Sequence, residues 1–140
     1  MSDAPEGLFV ERLEGGEIES HGFVVAEWAD PVGGSDPPLY VAPLHLHHDD
    51  DEAWYVLEGT LGVRLGHRDV EVPAGGAVIA PRGTPHTYWN ARPEPLRYLL
   101  VMTPRIRDMI EALHRSAEGG EGAVAAVFAE HRSEYLGWPS

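Results

Sequence analysis

Three histidines and one glutamate have the residue types and the spacing of a metal site. His45 and His47 are two positions apart, so in a β-strand both imidazoles would point to the same face. Glu52 follows a short acidic bend and opens the next apolar run, and His86 begins a further strand after a turn rich in proline and glycine. Imidazoles and a carboxylate that converge in a half-buried sheet can bind a transition metal ion. The sequence therefore predicts a metal centre made of these four residues.

Two stretches that contain these residues resemble the paired motifs of the cupin superfamily. The first is His-x-His-x4-Glu-x6-Gly over residues 45–59, and the second is Gly-x5-Pro-x-Gly-x2-His-x3-Asn over residues 75–90. Leu39 replaces a glycine that often precedes the first motif, which affects a turn and not a ligand. The resemblance implies an all-β fold, a double-stranded β-helix or jelly-roll barrel, with one divalent metal ion held by the three histidines and the glutamate.

Composition limits the class of protein. The chain has 140 residues, enough for one domain with a sizeable core, and its 16 glycines and 12 prolines suit many short strands and turns. The formal net charge of −13 argues against nucleic-acid binding, which needs Lys and Arg to replace counterions on phosphate. Without cysteine there is no disulfide and no thiolate ligand. We find no signal-peptide pattern at the start and no apolar run of membrane-spanning length, so we expect a cytoplasmic protein with no membrane partner.

Alternating apolar residues and clusters of turn formers predict a β-barrel domain over residues 1–103. In chain order we expect an edge strand at Leu8–Leu13, a longer strand at Ile18–Trp28 and a strand at Leu39–His47 that carries the first two ligands. An exposed apolar edge strand is an arrangement that proteins usually cover. Small cupins that resemble this chain pair through such strands, so we expect a homodimer.

From residue 104 onward the apolar period changes from two residues to the three- and four-residue steps of an amphipathic helix. A glycine-rich break ends this helix, and a second helix is predicted at Ala123–Tyr135. We expect the two helices to form an extension over residues 104–140 that packs on the barrel, as the resemblance to small single-domain cupins of the quercetin-dioxygenase type implies. His114 and His131 occupy polar helix positions and should be exposed to solvent.

Strand alternation places aromatic residues near the predicted metal. Trp54 has the parity of Glu52 and Tyr88 that of His86, so both should project toward the same cavity. Tyr98 either lines this cavity or belongs to the ordinary core, and a core role is also the alternative for Trp54. We predict Trp54, Tyr88 and Tyr98 as the wall of a substrate pocket.

Other polar residues are weaker candidates. Asp49–Asp51 lack the alternating spacing and the glycine of a calcium-binding loop, and we expect them to form a solvated bend. Arg64 and Arg97 are the strand-borne cations that could favour an anionic substrate, and the pattern assigns neither of them to the pocket.

The predicted ligand set is compatible with several metals and several reactions. Four protein ligands on a six-coordinate ion leave two positions for water, substrate or dioxygen. Histidine and carboxylate suit iron, manganese, nickel, cobalt, copper or zinc. Our first hypothesis is a dioxygenase-like oxidoreductase that acts on a small aromatic or enol-type substrate. The alternatives are a redox-neutral, metal-dependent isomerase or cyclase, and a non-catalytic cupin that binds a small ligand.

Overall fold

Two five-stranded antiparallel sheets pack against each other around one apolar core, in a computed structural model that describes residues 7–116 and 118–139. The elements are, in chain order, β1 (Glu17–Glu19), β2 (Val24–Asp30), β3 (His45–His47), β4 (Glu52–Glu58), β5 (Thr60–Leu65), β6 (Arg68–Pro73), β7 (Ala77–Ala80), β8 (His86–Asn90), β9 (Leu96–Met102), α1 (Pro104–Arg115), α2 (Gly120–Glu130) and β10 (Ser133–Tyr135). One sheet has the order β1-β2-β9-β4-β7 and the other the order β10-β3-β8-β5-β6. This architecture agrees with the expected all-β barrel followed by two helices.

Residues that alternate along the strands build the core from both sheets. In β9 every second residue is buried, namely Leu96, Tyr98, Leu100 and Met102. β4 of the same sheet and β5 of the opposite sheet contribute Trp54, Val56, Leu61 and Val63. Full burial of such an apolar side chain stabilises the fold by about 1.5–3 kcal/mol. The period-two pattern therefore decides which face of each strand turns inward.

Strand β8 is covered on both faces, and all five of its residues are buried. The segment before β3 lies over its outer face, where Tyr40 meets Trp89 edge to face at 5.4 Å and the Thr87 hydroxyl donates to the Ala42 carbonyl at 2.6 Å. Gly62 on the neighbouring β5 makes room for Trp89, because a Cβ atom there would lie 2.2 Å from the indole ring. His86 therefore projects from a strand that is held from both sides.

Three strands predicted in the first half of the chain differ from the structure. The strand at Leu8–Leu13 is wrong, since the described residues of that segment make no ladder and β1 occupies the edge of the sheet. The strand at Ile18–Trp28 is divided into β1 and β2, because the chain turns where the Ser20 N–H donates to the Phe23 carbonyl at 3.0 Å. The strand at Leu39–His47 is reduced to β3, since Pro43 has no N–H to donate to a ladder.

The C-terminal segment contains the two predicted helices, but the second one is shorter than expected. Helix α1 begins after Thr103, whose side chain accepts from the Ile106 N–H at 3.2 Å. The predicted helix at Ala123–Tyr135 is wrong beyond Glu130, where Arg132 takes a φ of 55° and the chain turns back. Its last residues instead form β10, which pairs with β3, because a sheet edge supplies backbone partners that a helix end does not.

None of the helices in the described part of the chain is long and apolar enough to span a membrane.

Candidate metal centre

The structure brings the four predicted ligands to one point between the two sheets. His45 and His47 lie on β3, His86 starts β8 directly opposite His45 in the register, and Glu52 starts β4 of the other sheet. One ligand atom from each residue lies within 4.8 Å of the others. All four side chains are between 1% and 4% exposed. Side chains this polar stay buried together only when they satisfy one another or bind an ion.

The turn before β8 aims His86. Gly83 has a φ of 81°, a backbone conformation that favours glycine, and its N–H donates to the His47 carbonyl at 2.7 Å. The Thr84 N–H donates to the Pro81 carbonyl at 3.1 Å and closes the turn. The proline and glycine of the second motif therefore fix the corner against the strand that carries the other two histidines.

Each imidazole makes a hydrogen bond through Nδ1. The His45 Nδ1–H donates to the Pro43 carbonyl at 2.7 Å, and the His86 Nδ1–H donates to the Thr84 carbonyl at 2.9 Å. Nδ1 of His47 lies 2.7 Å from the Ser133 hydroxyl oxygen on β10. With Nδ1 engaged, Nε2 is the nitrogen that each ring can offer to a metal ion.

The surroundings of the cluster shift the pKa values of its residues in different directions. Burial, followed by the neighbouring His86 and His47, lowers the pKa of His45 to about 3. Burial alone would raise the pKa of Glu52, but hydrogen bonds from His47 and His86, each at 3.1 Å to Oε1, outweigh it and lower that pKa. Burial lowers the pKa of His86, but its contact with Glu52 outweighs this and raises it. Glu52 is thus ionised, and its contact with His86 favours the protonated form of that imidazole.

This donor set fits a divalent transition metal ion. Three imidazole nitrogens and one carboxylate oxygen are the borderline and hard ligands that such ions take. The Nε2 atoms of His47 and His86 that contact Glu52 are the same atoms that would bind the ion, so an ion would replace the protons between them.

A cavity of about 340 Å³ with several aromatic lining residues lies near the cluster, although none of the four candidate ligands lines it. Pro43, whose carbonyl accepts from His45, and Tyr88, two residues after His86, are among its lining residues, as is Tyr98. Trp54 lies in the core beside them, with its ring 5.7 Å from that of His86 and 5.3 Å from that of Tyr88, and it is not part of the cavity wall. Its buried Nε1–H has no acceptor among the described residues.

Comparison with known proteins identifies the family. The family model described as "Cupin domain" matches residues 32–102. The chain belongs to the cupin family. The uncharacterized protein MJ1618 of Methanocaldococcus jannaschii is 34% identical over 80 residues, which make up 57% of this cupin and 59% of that protein. This cupin thus spans less than two thirds of that relative.

Solved structures with the same fold include proteins of unstated activity. TT1209 from Thermus thermophilus is 29% identical, with a TM-score of 0.53, over 62% of this chain and 77% of that one. A conserved protein with a double-stranded β-helix domain from Klebsiella pneumoniae is 27% identical, with a TM-score of 0.52, over 62% and 71% of the two chains. A cupin from Bacteroides fragilis, at 17% identity and a TM-score of 0.53 over 74% and 86%, shares the fold. These similarities establish the fold and not a reaction.

The acidic bend of this cupin is tied to its surroundings by arginines. The Asp51 carboxylate accepts from the Arg82 N–H at 2.9 Å and from its guanidinium at 3.2 Å, and Asp49 accepts from Arg132 at 2.7 Å. Asp49 and Asp51 are exposed as predicted, but Asp50 is buried, with Oδ2 3.6 Å from the Arg105 guanidinium. The bend that joins His47 to Glu52 is therefore held from both sides rather than freely solvated.

The remaining candidates lie away from the cluster. His114 is exposed as predicted and borders the cavity, whereas His131 is half-buried and donates from Nδ1 to the Val127 carbonyl at 2.8 Å. Arg64 pairs with Asp69 and Arg97 with Glu27, and neither arginine lines the cavity.

Ser133 is the polar neighbour of the cluster that sequence reasoning missed. No spacing rule connects it to the ligands, since its contact with His47 spans 86 residues and depends on the pairing of β10 with β3.

Proposed function

We propose that this cupin is a metal-dependent, dioxygenase-like oxidoreductase that acts on a small, neutral aromatic or enol-type substrate. The observation that carries the proposal is the buried convergence of three imidazoles and one carboxylate, with ligand atoms within 4.8 Å of one another. A redox-active divalent ion such as iron, held by His45, His47, Glu52 and His86, would supply the activation of dioxygen and of a substrate oxygen.

The protein side of this function is binding, orientation and the exclusion of water. The ligands lie inside the barrel, where their low exposure keeps bulk water away and strengthens electrostatic interactions. The hydrogen bonds at Nδ1 hold the rings of His45 and His86 in place before any ion binds. Such preorganisation lowers the cost of assembling the site.

The cavity supports the choice of a neutral, planar substrate. Its wall is mostly apolar or aromatic and includes Trp28, Tyr88, Tyr98, Leu100, Ile110 and Trp138. No Lys or Arg lines it among the residues that the structure describes, so an anionic group would lack a counter-charge there. A volume of about 340 Å³ lies at the lower end of the range for small-molecule sites.

The two cavity tyrosines can act as hydrogen-bond donors to a substrate oxygen. Burial raises the pKa of Tyr88, and the neighbouring Tyr98 and Glu52 raise it further. Burial also raises the pKa of Tyr98. Both therefore stay as neutral phenols at neutral pH, and a phenol O–H donates where a phenolate could not.

The experiment is oxygen uptake by protein loaded with Fe(II), measured with a panel of hydroxylated aromatic and enol compounds. We expect at least one compound to be consumed together with dioxygen, and we expect no uptake by His47→Ala. Consumption of a substrate without oxygen uptake would support the redox-neutral alternative instead. Binding of a compound without any turnover by the iron, manganese, nickel, cobalt, copper and zinc forms would favour the non-catalytic alternative.

We also propose that the protein is a homodimer. The support is the edge of the first sheet, where, among the described residues, β1 pairs with β2 alone and the nearby Leu8, Phe9 and Phe23 are exposed apolar side chains. Light scattering should give the mass of two chains, and Phe9→Asp should shift the protein toward one. A single-chain mass for the unaltered protein at high concentration would refute the dimer.

A further inference from the structure

We propose that Ser133 is a positioning residue of the metal centre, which holds His47 in the tautomer that leaves Nε2 free to bind the ion. The inference rests on the proposed metal site and assigns a role to the C-terminal strand β10. It is carried by the direction of two hydrogen bonds at one hydroxyl group.

The contact of the Ser133 hydroxyl with the His131 carbonyl settles the direction of its hydrogen bond with His47. The Ser133 hydroxyl lies 3.0 Å from the His131 carbonyl, which can only accept, so the hydroxyl proton is used there. The same oxygen lies 2.7 Å from Nδ1 of His47, and with its proton committed it can only accept from the ring. Nδ1 of His47 therefore carries a proton, and Nε2, which donates to Glu52 in the absence of an ion, is the nitrogen at which an ion would take the place of the proton.

His47 needs this remote partner because its local partner is missing. The other two rings each donate to a carbonyl two residues earlier in the chain, His45 to Pro43 and His86 to Thr84. The residue two positions before His47 is His45, itself a ligand and part of the same strand. The hydroxyl that replaces a local carbonyl comes from a residue 86 positions later.

Burial makes the contact hard to replace. His47 is 1% and Ser133 is 5% exposed, so water has little access to Nδ1 if the hydroxyl is removed. The ring would then leave a buried N–H without a partner, or give up the proton at Nδ1 and keep the one at Nε2, the nitrogen that faces Glu52 and the proposed ion. Either change weakens metal binding without removing a ligand.

The backbone of the C-terminal segment keeps Ser133 at this place. Ser133 is the register partner of His47, and the His48 N–H donates to the Arg132 carbonyl at 2.8 Å. The Leu136 N–H donates to the Leu44 carbonyl at 2.8 Å on the other side of the pair. The hydroxyl is thus delivered by a ladder and not by a flexible tail.

The first test is a titration with Co²⁺, with affinity and the visible spectrum as readouts. Ser133→Ala should bind Co²⁺ about 10–100-fold more weakly, the usual effect of losing a group that orients a metal ligand, and its spectrum should change. Ser133→Thr keeps the hydroxyl and should stay within a few-fold of the unaltered protein.

Two control variants separate positioning from stability. Thr87→Val removes another buried hydroxyl, whose hydrogen bond goes to the Ala42 carbonyl and not to an imidazole, and Glu134→Ala alters the exposed neighbour on β10. Both should keep the affinity and the spectrum. An affinity in Ser133→Ala equal to that of Thr87→Val, or an equal loss in Ser133→Thr and Ser133→Ala, would overturn the inference while leaving the metal site intact. Failure of the unaltered protein to bind Co²⁺ would instead overturn the proposed function, and the inference with it.

The second test reads the tautomer directly in the unaltered protein. With Zn²⁺ bound, long-range ¹⁵N–¹H correlations should show His47 with a protonated Nδ1 and a metal-bound Nε2. A metal-bound Nδ1, or a proton on Nε2, would overturn the inference whether or not any variant folds.

Discussion

The turn before β8 and the C-terminal strand β10 both support a histidine of the cluster, but over very different distances along the chain. The turn at residues 81–85 presents the Thr84 carbonyl to His86 two residues later. Strand β10 presents the Ser133 hydroxyl to His47 across 86 residues. Support of the first kind exists once one turn has formed, whereas support of the second kind exists only after the whole chain has folded. Both histidines are candidate ligands, but the position of His86 depends on a local turn, whereas the position of His47 depends on the folding of the C-terminal segment.

We expect the largest effect, a loss of bound metal, when a ligand is removed from either region. His47→Ala and His86→Ala should each sharply reduce bound metal per chain, because each removes one of four ligands from a buried site whose other side chains are fixed in place. Metal analysis of protein reconstituted with Fe²⁺ or Zn²⁺ measures this. His67→Ala, which alters an exposed histidine in the turn between β5 and β6, is the matched control and should retain its metal. Full occupancy in a folded His86→Ala protein would refute the ligand assignment.

The next largest effect is expected when the packing beneath strand β10 is removed. Phe128 of α2 is fully buried, and its ring lies 5.0 Å from that of His45 and 6.0 Å from that of Tyr135 on β10. Phe128→Ala should lower the free energy of unfolding by about 3–5 kcal/mol. Urea denaturation measures the loss, and metal affinity should fall with it because β10 is loosened. Val32→Ala, at a loop residue that is 60% exposed, should change the unfolding free energy by less than about 0.5 kcal/mol.

The difference between local and remote support also explains what the sequence could predict. The four ligands and the facing of Trp54 and Tyr88 follow from strand alternation and from motif spacing, which are local. Strand β10 does not, since residues 131–135 continue a plausible helical pattern and become extended only because β3 offers an edge. The predicted strand at Leu8–Leu13 failed for the converse reason: its residues suit a strand, but the described part of the fold gives them no partner.

As pH falls, the ligands should become protonated at different pH values, because their surroundings shift their pKa values in different directions. Glu52, with its lowered pKa, stays ionised, and His45, with its pKa lowered to about 3, stays neutral through mild acid. The pKa of His86 is raised, so as pH falls through that value a proton increasingly competes with the ion at its Nε2. Metal affinity should therefore begin to fall above the ordinary imidazole pKa of about 6.5 and keep falling below it, approaching about tenfold per pH unit for each proton displaced. Titrations with Zn²⁺ between pH 8 and pH 5 measure this, and an affinity that is flat over that interval would contradict it.

The smallest expected effect concerns the arginines that bracket the acidic bend, one from each region. Arg82 comes from the turn before β8 and pairs with Asp51, while Arg132 comes from the C-terminal segment and pairs with Asp49. The two arginines are 61% and 62% exposed, so solvent screens both pairs, and exposed ion pairs stabilise a fold only slightly. Arg82→Ala and Arg132→Ala should each lower the unfolding free energy only slightly, with less effect at high salt, and both should keep one metal per chain. Arg82→Lys, which retains the charge but not the forked hydrogen bonds to Asp51, should fall between Arg82→Ala and the unaltered protein. If Arg132→Ala loses metal while Arg82→Ala does not, the remote region governs the bend as well as His47, and the dependence on the C-terminal segment extends beyond Ser133.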